Sequence, residues 1–244
     1  MVNLISPDLD PDVIHLWIAD RSTWSSSITS LMKLLTKHEI QRHSRLKIDE
    51  KKDQFLKSRG LLRLVLSSYL GLSPGLIQFE TNPAGKPYLM DSDLSFNLSH
   101  SGDLFIYGFC LKAQIGVDIQ EIYSISSMES VIKKTISPKE QSYFEGLSTG
   151  KSLQAFFNIW TAKESYLKAQ GEGFQANPAA ISVIPELSGS NFTLEDQSNN
   201  EKGSEWTIQS IRVQPGYKAA FAVNKKVSRV DLNHLHPSLF VDYI

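Results

Sequence analysis

The chain has 244 residues, 41% of them hydrophobic, enough for one large or two small packed domains at about 150 residues per domain. Its formal net charge of −1 and sequence pI of about 6.6 exclude a global basic field that would recruit nucleic acid or an anionic membrane. Any charged partner must therefore be read from local patches.

Asp8, Asp10 and Asp12 open the chain where a signal peptide would need a basic start and an apolar core. No apolar run approaches the ~20 residues of a membrane span, so a cytoplasmic protein is expected. Residues 13–19 read as a first strand. Thr36 and Glu39 form a capping box, which starts a helix that runs into the basic stretch at residues 42–47. A second helix is predicted over residues 50–70, ended by Gly71, with Phe55, Leu62, Leu66 and Leu70 at helical spacing. Strands are predicted at residues 77–80, 94–97 and 104–111. The last holds the single cysteine, Cys110, which cannot form an internal disulfide and has no adjacent base to make it a nucleophile.

Lys112, Ala113 and Gln114 are short and polar, and they mark a predicted boundary between an N-terminal half, residues 1–112, and a C-terminal half, residues 113–244. The order of elements then looks similar again. A strand at residues 116–119 precedes a second capping box, Ser137 to Glu140 with Pro138 at the first helical position. A long helix over residues 152–170 stops at Gly171, and strands at 180–184, 206–213 and 218–223 complete the body. Residues 188–205 are rich in Ser, Asn, Gly and charge and read as a long surface loop or mobile hairpin. The tail after Val227 has no clear pattern.

Two segments carry chemistry. In Gly116-Val117-Asp118-Ile119-Gln120 an aspartate sits inside an apolar strand, where aspartate is depleted. In the long helix, Trp160, Glu164 and Lys168 stack on one side, because residues four apart are surface neighbours. A Glu–Lys pair at this spacing is by itself a common helix-stabilising pair, worth roughly 0.2–0.5 kcal/mol. A strand carboxylate and a helix carboxylate together suggest two oxygen ligands for a hard cation such as Mg²⁺.

Other candidates lie in the first half. Asn97-Leu98-Ser99-His100-Ser101-Gly102 ends a strand and turns, offering hydroxyl, amide and backbone donors of the kind that bind phosphate. Lys86, between Gly85 and Pro87 in the turn after Asn82, is either solvated or presents a point charge to an anion. Arg42 and Arg45, and likewise Arg59 and Arg63, crowd like charges on a helix face, a repulsion that an anionic ligand would relieve.

Together these segments resemble the 4′-phosphopantetheinyl transferases. Gly116-Val117-Asp118 and Trp160-Thr161-Ala162-Lys163-Glu164-Ser165-Tyr166-Leu167-Lys168 look like the two signature motifs of that family. Gly85-Lys86-Pro87, Phe96 to Gly102 and Pro215-Gly216-Tyr217-Lys218 are similar to segments of its Sfp-type branch. The resemblance implies an α+β fold, a pseudo-twofold monomer of two similar α/β halves meeting around coenzyme A. It implies transfer of the 4′-phosphopantetheine arm of CoA to a serine of an apo acyl, polyketide or peptidyl carrier protein, with release of 3′,5′-ADP. Asp118 and Glu164, with Gln120 beside them, would hold Mg²⁺. Glu164 would take the serine proton, and Lys168 would neutralise charge on the leaving phosphate. Arg42, Lys86, Asn97, Ser99, His100 and Lys163 match positions around CoA.

One departure is Gln120, where many bacterial members carry an acid. It lies on the same strand face as Asp118 but adds no charge, whereas Glu121 faces the other way. The rival reading is a catalytically inactive CoA-binding or carrier-docking module of the same fold. A P-loop nucleotide hydrolase is disfavoured, because no GxxxxGK[ST] pattern occurs.

Overall fold

A computed structural model describes residues 9–125, 128–171, 177–186, 190–196 and 205–243. The chain opens with β1 (Val13–Asp20), followed by α1 (Ile28–Leu34), α2 (Lys37–Arg45) and α3 (Asp49–Leu70). A small hairpin, β2 (Glu80–Thr81) with β3 (Pro87–Tyr88), leads to β4 (Leu94–Ser101), β5 (Leu104–Leu111) and β6 (Ile115–Glu121). Helices α4 (Met128–Thr135), α5 (Pro138–Gln141) and α6 (Thr149–Gln170) come next. Strands β7 (Ile181–Pro185), β8 (Asn191–Asp196), β9 (Thr207–Ile211), β10 (Tyr217–Val223) and β11 (Arg229–Leu235) end the order.

Two sheets pack face to face, each with a long helix on its outer side, giving an α+β fold. The first sheet has the order β11-β1-β5-β4 and the second β6-β10-β9-β8-β7. Strand alternation explains the layers. From β1, Ile14, Leu16 and Ile18 meet Ile115, Val117 and Ile119 of β6 in the core between the sheets. Trp17 and Ala19 point the other way, onto Leu61, Val65 and other residues of α3. Beneath the second sheet, Ala220 and Ala222 of β10 face Ala162, Tyr166 and Ala169 of α6. Strands buried on both faces read as continuous apolar runs, as β1 and β5 do.

The halves repeat one plan. Leaving β11 aside, the first strand of each half pairs antiparallel with its last, β1 with β5 and β6 with β10, and that last strand pairs with its predecessor, β4 or β9. Each has a capping box, Thr36 with Glu39 and Ser137 with Glu140. Each has a long helix ended by a left-handed glycine, Gly71 or Gly171. The capping glutamate in each is buried and turns to a cation of that helix: Glu39 Oε2 lies 2.9 Å from Arg63 Nε, and Glu140 Oε2 lies 2.6 Å from Lys163 Nζ.

Three expectations change. Of the strand predicted at residues 77–80 only Glu80 enters a ladder, because the Ile77 carbonyl accepts from Arg63 Nη1 at 2.9 Å and is tied to α3 instead. The tail without clear pattern contains β11, which lies parallel to β1 and so returns residues 229–235 to the first sheet. Across this pair His15 Nε2 lies 3.5 Å from Asp231 Oδ2, and His15 Nδ1 meets Tyr69 Oη at 2.9 Å. Within the segment 188–205, read as a surface loop or mobile hairpin, residues 191–196 are strand β8, antiparallel to β7 and β9 and so part of the sheet and not a loop, while 188, 189 and 197–204 lie outside the described residues. No helix among the described residues is long and apolar enough to cross a membrane.

The Lys163–Glu140 pair is wholly buried, and its remaining valences are filled: Lys163 Nζ donates to Thr135 O and Pro178 O, and Glu140 accepts from the backbone N–H groups of Ser137 and Val183. Removing one partner of such a pair strands a buried charge. Lys163→Met is therefore expected to lower stability by about 3–5 kcal/mol in urea denaturation, and the loss in the Lys163→Met/Glu140→Gln double variant is expected to be smaller than the two single losses combined.

Candidate active site

The site forms where β4, β6 and α6 converge. On β6 the odd residues enter the core between the sheets, so Gly116, Asp118 and Gln120 face α6. Strand and helix approach so closely that a Cβ on Gly116 would lie 1.9 Å from Ser165 O and 2.5 Å from Ala169 N. This contact sets Asp118 beside the helix face that carries Glu164 and Lys168.

Asp118 is only 1% exposed, and a buried carboxylate is tolerated where it is paired and hydrogen-bonded. Lys168 Nζ lies 2.6 Å from Asp118 Oδ1 and also donates to Ser99 Oγ at 2.9 Å. Ser99 Oγ in turn donates to Asp118 Oδ1 at 2.7 Å, and Gln120 Nε2 donates to Asp118 Oδ2 at 3.3 Å. Four residues expected at the site, Asp118, Ser99, Lys168 and Gln120, are thus bonded into one cluster. Two more border it. Glu164 has its pKa raised, first by desolvation and then by the like charge of Asp118, with Lys168 opposing. His100 has its pKa lowered, first by desolvation and further by the Lys168 ammonium, while its backbone hydrogen bond and Asp118 oppose.

The other candidates lie elsewhere. Lys163, expected around CoA, is a correction: one step along α6 from Glu164 turns it inward, where it is fully buried against Glu140. Asn97 Oδ1 accepts from Val117 N at 2.9 Å, so it joins β4 to β6 across the two halves. Lys86 Nζ donates to Ile115 O and Ala169 O. Arg42 stands over the Phe55 ring at 5.4 Å and lines a cleft of about 390 Å³ with Arg59, Arg63, Phe79 and Pro87.

That cleft also revises the reading of the arginine pairs. Glu39 supplies the counter-charge for Arg59 and Arg63 from within the protein. Both guanidinium groups stand over Phe79, at 5.1 and 4.8 Å. Arg63 is fully engaged through Pro74 O and Ile77 O, whereas Arg59 Nη1 is buried without a hydrogen-bond partner among the described residues. Local sequence shows the charges of Arg59 and Arg63 but not which one the fold satisfies.

Asp118, Gln120 and Glu164 are the metal-binding candidates. Among the described residues no three His, Cys, Asp or Glu side chains gather as a ready cation cage. Two carboxylates with an amide oxygen fit a Mg²⁺ ion that completes its shell with substrate phosphate and water. The pressure of Asp118 on Glu164 is the kind of repulsion that a divalent cation relieves.

The 4′-phosphopantetheinyl transferase superfamily profile matches residues 114–222, and a profile for the N-terminal part of a 4′-phosphopantetheinyl transferase matches residues 16–108. The chain is 36% identical over 166 residues to the 4′-phosphopantetheinyl transferase HetI of Nostoc sp. strain PCC 7120, covering 66% of this chain and 70% of the relative. It is 32% identical over 162 residues to the 4′-phosphopantetheinyl transferase Sfp of Bacillus subtilis strain 168, covering 66% and 69%. Against the 4′-phosphopantetheinyl transferase ffp of Bacillus subtilis the match is 29% over 204 residues, covering 82% and 87%. The chain belongs to the 4′-phosphopantetheinyl transferase family.

Because backbone, not a flexible side chain, meets the added atom at Gly116, Gly116→Ala must push α6 off β6. The variant is expected to lose about 1–3 kcal/mol of stability in denaturant titration. Its turnover is expected to fall by about 10²-fold even where it remains folded, as a misplaced catalytic group does.

Proposed function

We propose that the Asp118–Glu164–Lys168 cluster transfers the 4′-phosphopantetheine arm of coenzyme A to a serine hydroxyl of an apo carrier protein. The observation that carries this reading is the convergence of β6 and α6: the Asp118 carboxylate and the Lys168 ammonium are bonded to each other and to Ser99, with Glu164 and His100 within electrostatic range of both. In the reaction the serine Oγ forms a bond to the phosphorus that bears the pantetheine arm. The bond from that phosphorus to the bridging oxygen of the diphosphate breaks, 3′,5′-ADP leaves, and the serine proton passes to a base.

Glu164 is assigned as that base, directly or through water. Its raised pKa makes it a better proton acceptor than an ordinary carboxylate. Lys168 is assigned to the leaving 5′-phosphate of 3′,5′-ADP, moving from Asp118 toward the charge that builds on the bridging oxygen, since phosphoryl transfer asks the protein mainly for positioning and electrostatic stabilisation. Ser99 and His100 are placed on the diphosphate side. Arg42, on the arginine cleft, is suited to the 3′-phosphate end. Asp118 and Glu164, with Gln120, would hold Mg²⁺, whose contribution when bound is to neutralise the CoA diphosphate.

On this reading the chain acts as a cytoplasmic monomer, with residues 1–112 supplying most of the nucleotide side and 113–244 the metal and catalytic helix. Repetition of the half-fold within one chain supports it, because β4 and α6 already bring both sides of the site together. With CoA, Mg²⁺ and a panel of apo carriers, mass spectrometry is expected to show one phosphopantetheine added per carrier. Asp118→Ala and Lys168→Ala are expected to reduce transfer by about 10²-fold or more. CoA binding without modification of any carrier would favour an inactive binding module instead.

Gln120 donates to Asp118 Oδ2 and thus lies within reach of the same oxygen atoms that would face a metal. Gln120→Glu replaces that donor by a third carboxylate. It is expected to lower the Mg²⁺ concentration for half-maximal activity by several-fold, read from metal titrations of initial rate, and an unchanged midpoint would place Gln120 outside the metal's surroundings.

A further inference from the structure

The loop joining β2 to β3, residues 82–86, belongs to the first half of the chain yet bonds to the end of the catalytic helix in the second. The turn closes on itself, with Gly85 N donating to Asn82 O and Lys86 N donating to Asn82 Oδ1, both at 2.8 Å. Two side-chain donors remain and reach across. Asn82 Nδ2 donates to Gly171 O at 2.9 Å, and Lys86 Nζ donates to Ala169 O and to Ile115 O, each at 3.0 Å. The last carbonyls of a helix lack intrahelical partners and carry its negative end, so an amide and an ammonium form a favourable cap there. Gly171 belongs to this fit, since a Cβ there would sit 2.8 Å from Asn82 Nδ2.

The two carbonyls held by Lys86 have particular places. Ala169 directly follows Lys168 in α6, and Ile115 opens β6 on the strand that carries Asp118. One ammonium therefore grips the helix and the strand whose relative placement makes the site. No carboxylate is bonded to it among the described residues, and burial pushes its pKa down to about 8. Its hydrogen bonds are directed to backbone.

The geometry points to Lys86, assisted by Asn82, as a positioning residue that sets α6 against β6, and hence Lys168 and Glu164 against Asp118, in place of a role as a cation for CoA phosphate. The inference rests on the transferase reading given above. Lys86→Met and Asn82→Ala are judged against the parent enzyme in the same assay.

Lys86→Met is expected to lower kcat about tenfold while the CoA dissociation constant, measured by calorimetry, stays within about twofold. In a Lys168→Ala background the same substitution is expected to cost clearly less than the tenfold it costs in the parent, because one of the two groups it positions is gone, whereas independent losses would multiply. Asn82→Ala removes the bond to Gly171 and the turn's bond from Lys86 N while leaving the Lys86 ammonium in place, and it should show the same pattern at smaller amplitude, which keeps the test open if Lys86→Met fails to fold. A CoA dissociation constant that rises as much as kcat falls would make Lys86 a ligand. Full multiplication with Lys168→Ala would make it a structural cap alone, and either result overturns the proposal. Absence of transfer by the parent would instead sink the transferase reading, while transfer by the parent with both variants unimpaired would defeat the positioning role only.

Discussion

Strand β6 lies against the bare backbone of helix α6 at Gly116, and the site depends on that contact. A side chain there would stand 1.9 Å from the Ser165 carbonyl, so any other residue would separate the helix from the sheet. Closeness at Gly116 fixes what happens two residues later. Asp118, on the same strand face, comes within 2.6 Å of Lys168 while remaining almost fully buried. At that depth a carboxylate is sustained by its partners, and here Ser99, Lys168 and Gln120 supply them. Packing and electrostatics are therefore one problem at this site.

The repeated half-fold explains how a single chain builds such a junction. Both halves use a capping glutamate that turns inward to a cation on the long helix, Glu39 to Arg63 and Glu140 to Lys163. Buried pairs of this kind contribute little net stability because both ions lose water. Each one does connect the start of a short helix to the long helix of its half. The halves then diverge in chemistry. Only α6 carries an acid and a base, Glu164 and Lys168, toward a strand aspartate, while α3 directs arginines into a cleft shared with Phe79.

On the proposed reading, the charges at the centre suit an anionic substrate that arrives with a cation. Two carboxylates and one ammonium leave the cluster short of positive charge, and the like charge of Asp118 adds to desolvation, the larger cause, in raising the pKa of Glu164. Lys168 has two alternatives, the Asp118 carboxylate it holds in this structure and the diphosphate it would meet in a complex. A lysine is suited to such exchange, being a point charge on a flexible stem, whereas the bidentate geometry of arginine would tie it to one partner.

The capping boxes, the two long helices with their glycine ends and the apolar strands were legible in the chain, because each rests on local rules: side-chain caps, helical period and alternation. Asp118, Glu164 and Lys168 were legible as candidates for the same reason, through residue type and spacing. What local rules do not contain is direction. Lys163 and Glu164 are neighbours in sequence, yet one faces the protein interior and the other the site, and only the packing of α6 between Glu140 and β6 decides which. Asn97 and Lys86 have the donors a phosphate needs, but the fold engages Asn97 with the Val117 backbone and Lys86 with the carbonyls of Ile115 and Ala169. Strand β11 was invisible because an edge strand with mixed exposure has little periodicity of its own; its pairing with β1 comes from a partner more than two hundred residues away. Sequence alone determined the elements that local rules encode and the reactive residue types. Tertiary structure decided which of those residues share one surface, since that depends on backbone contacts, Gly116 against Ser165 above all, that no local pattern records.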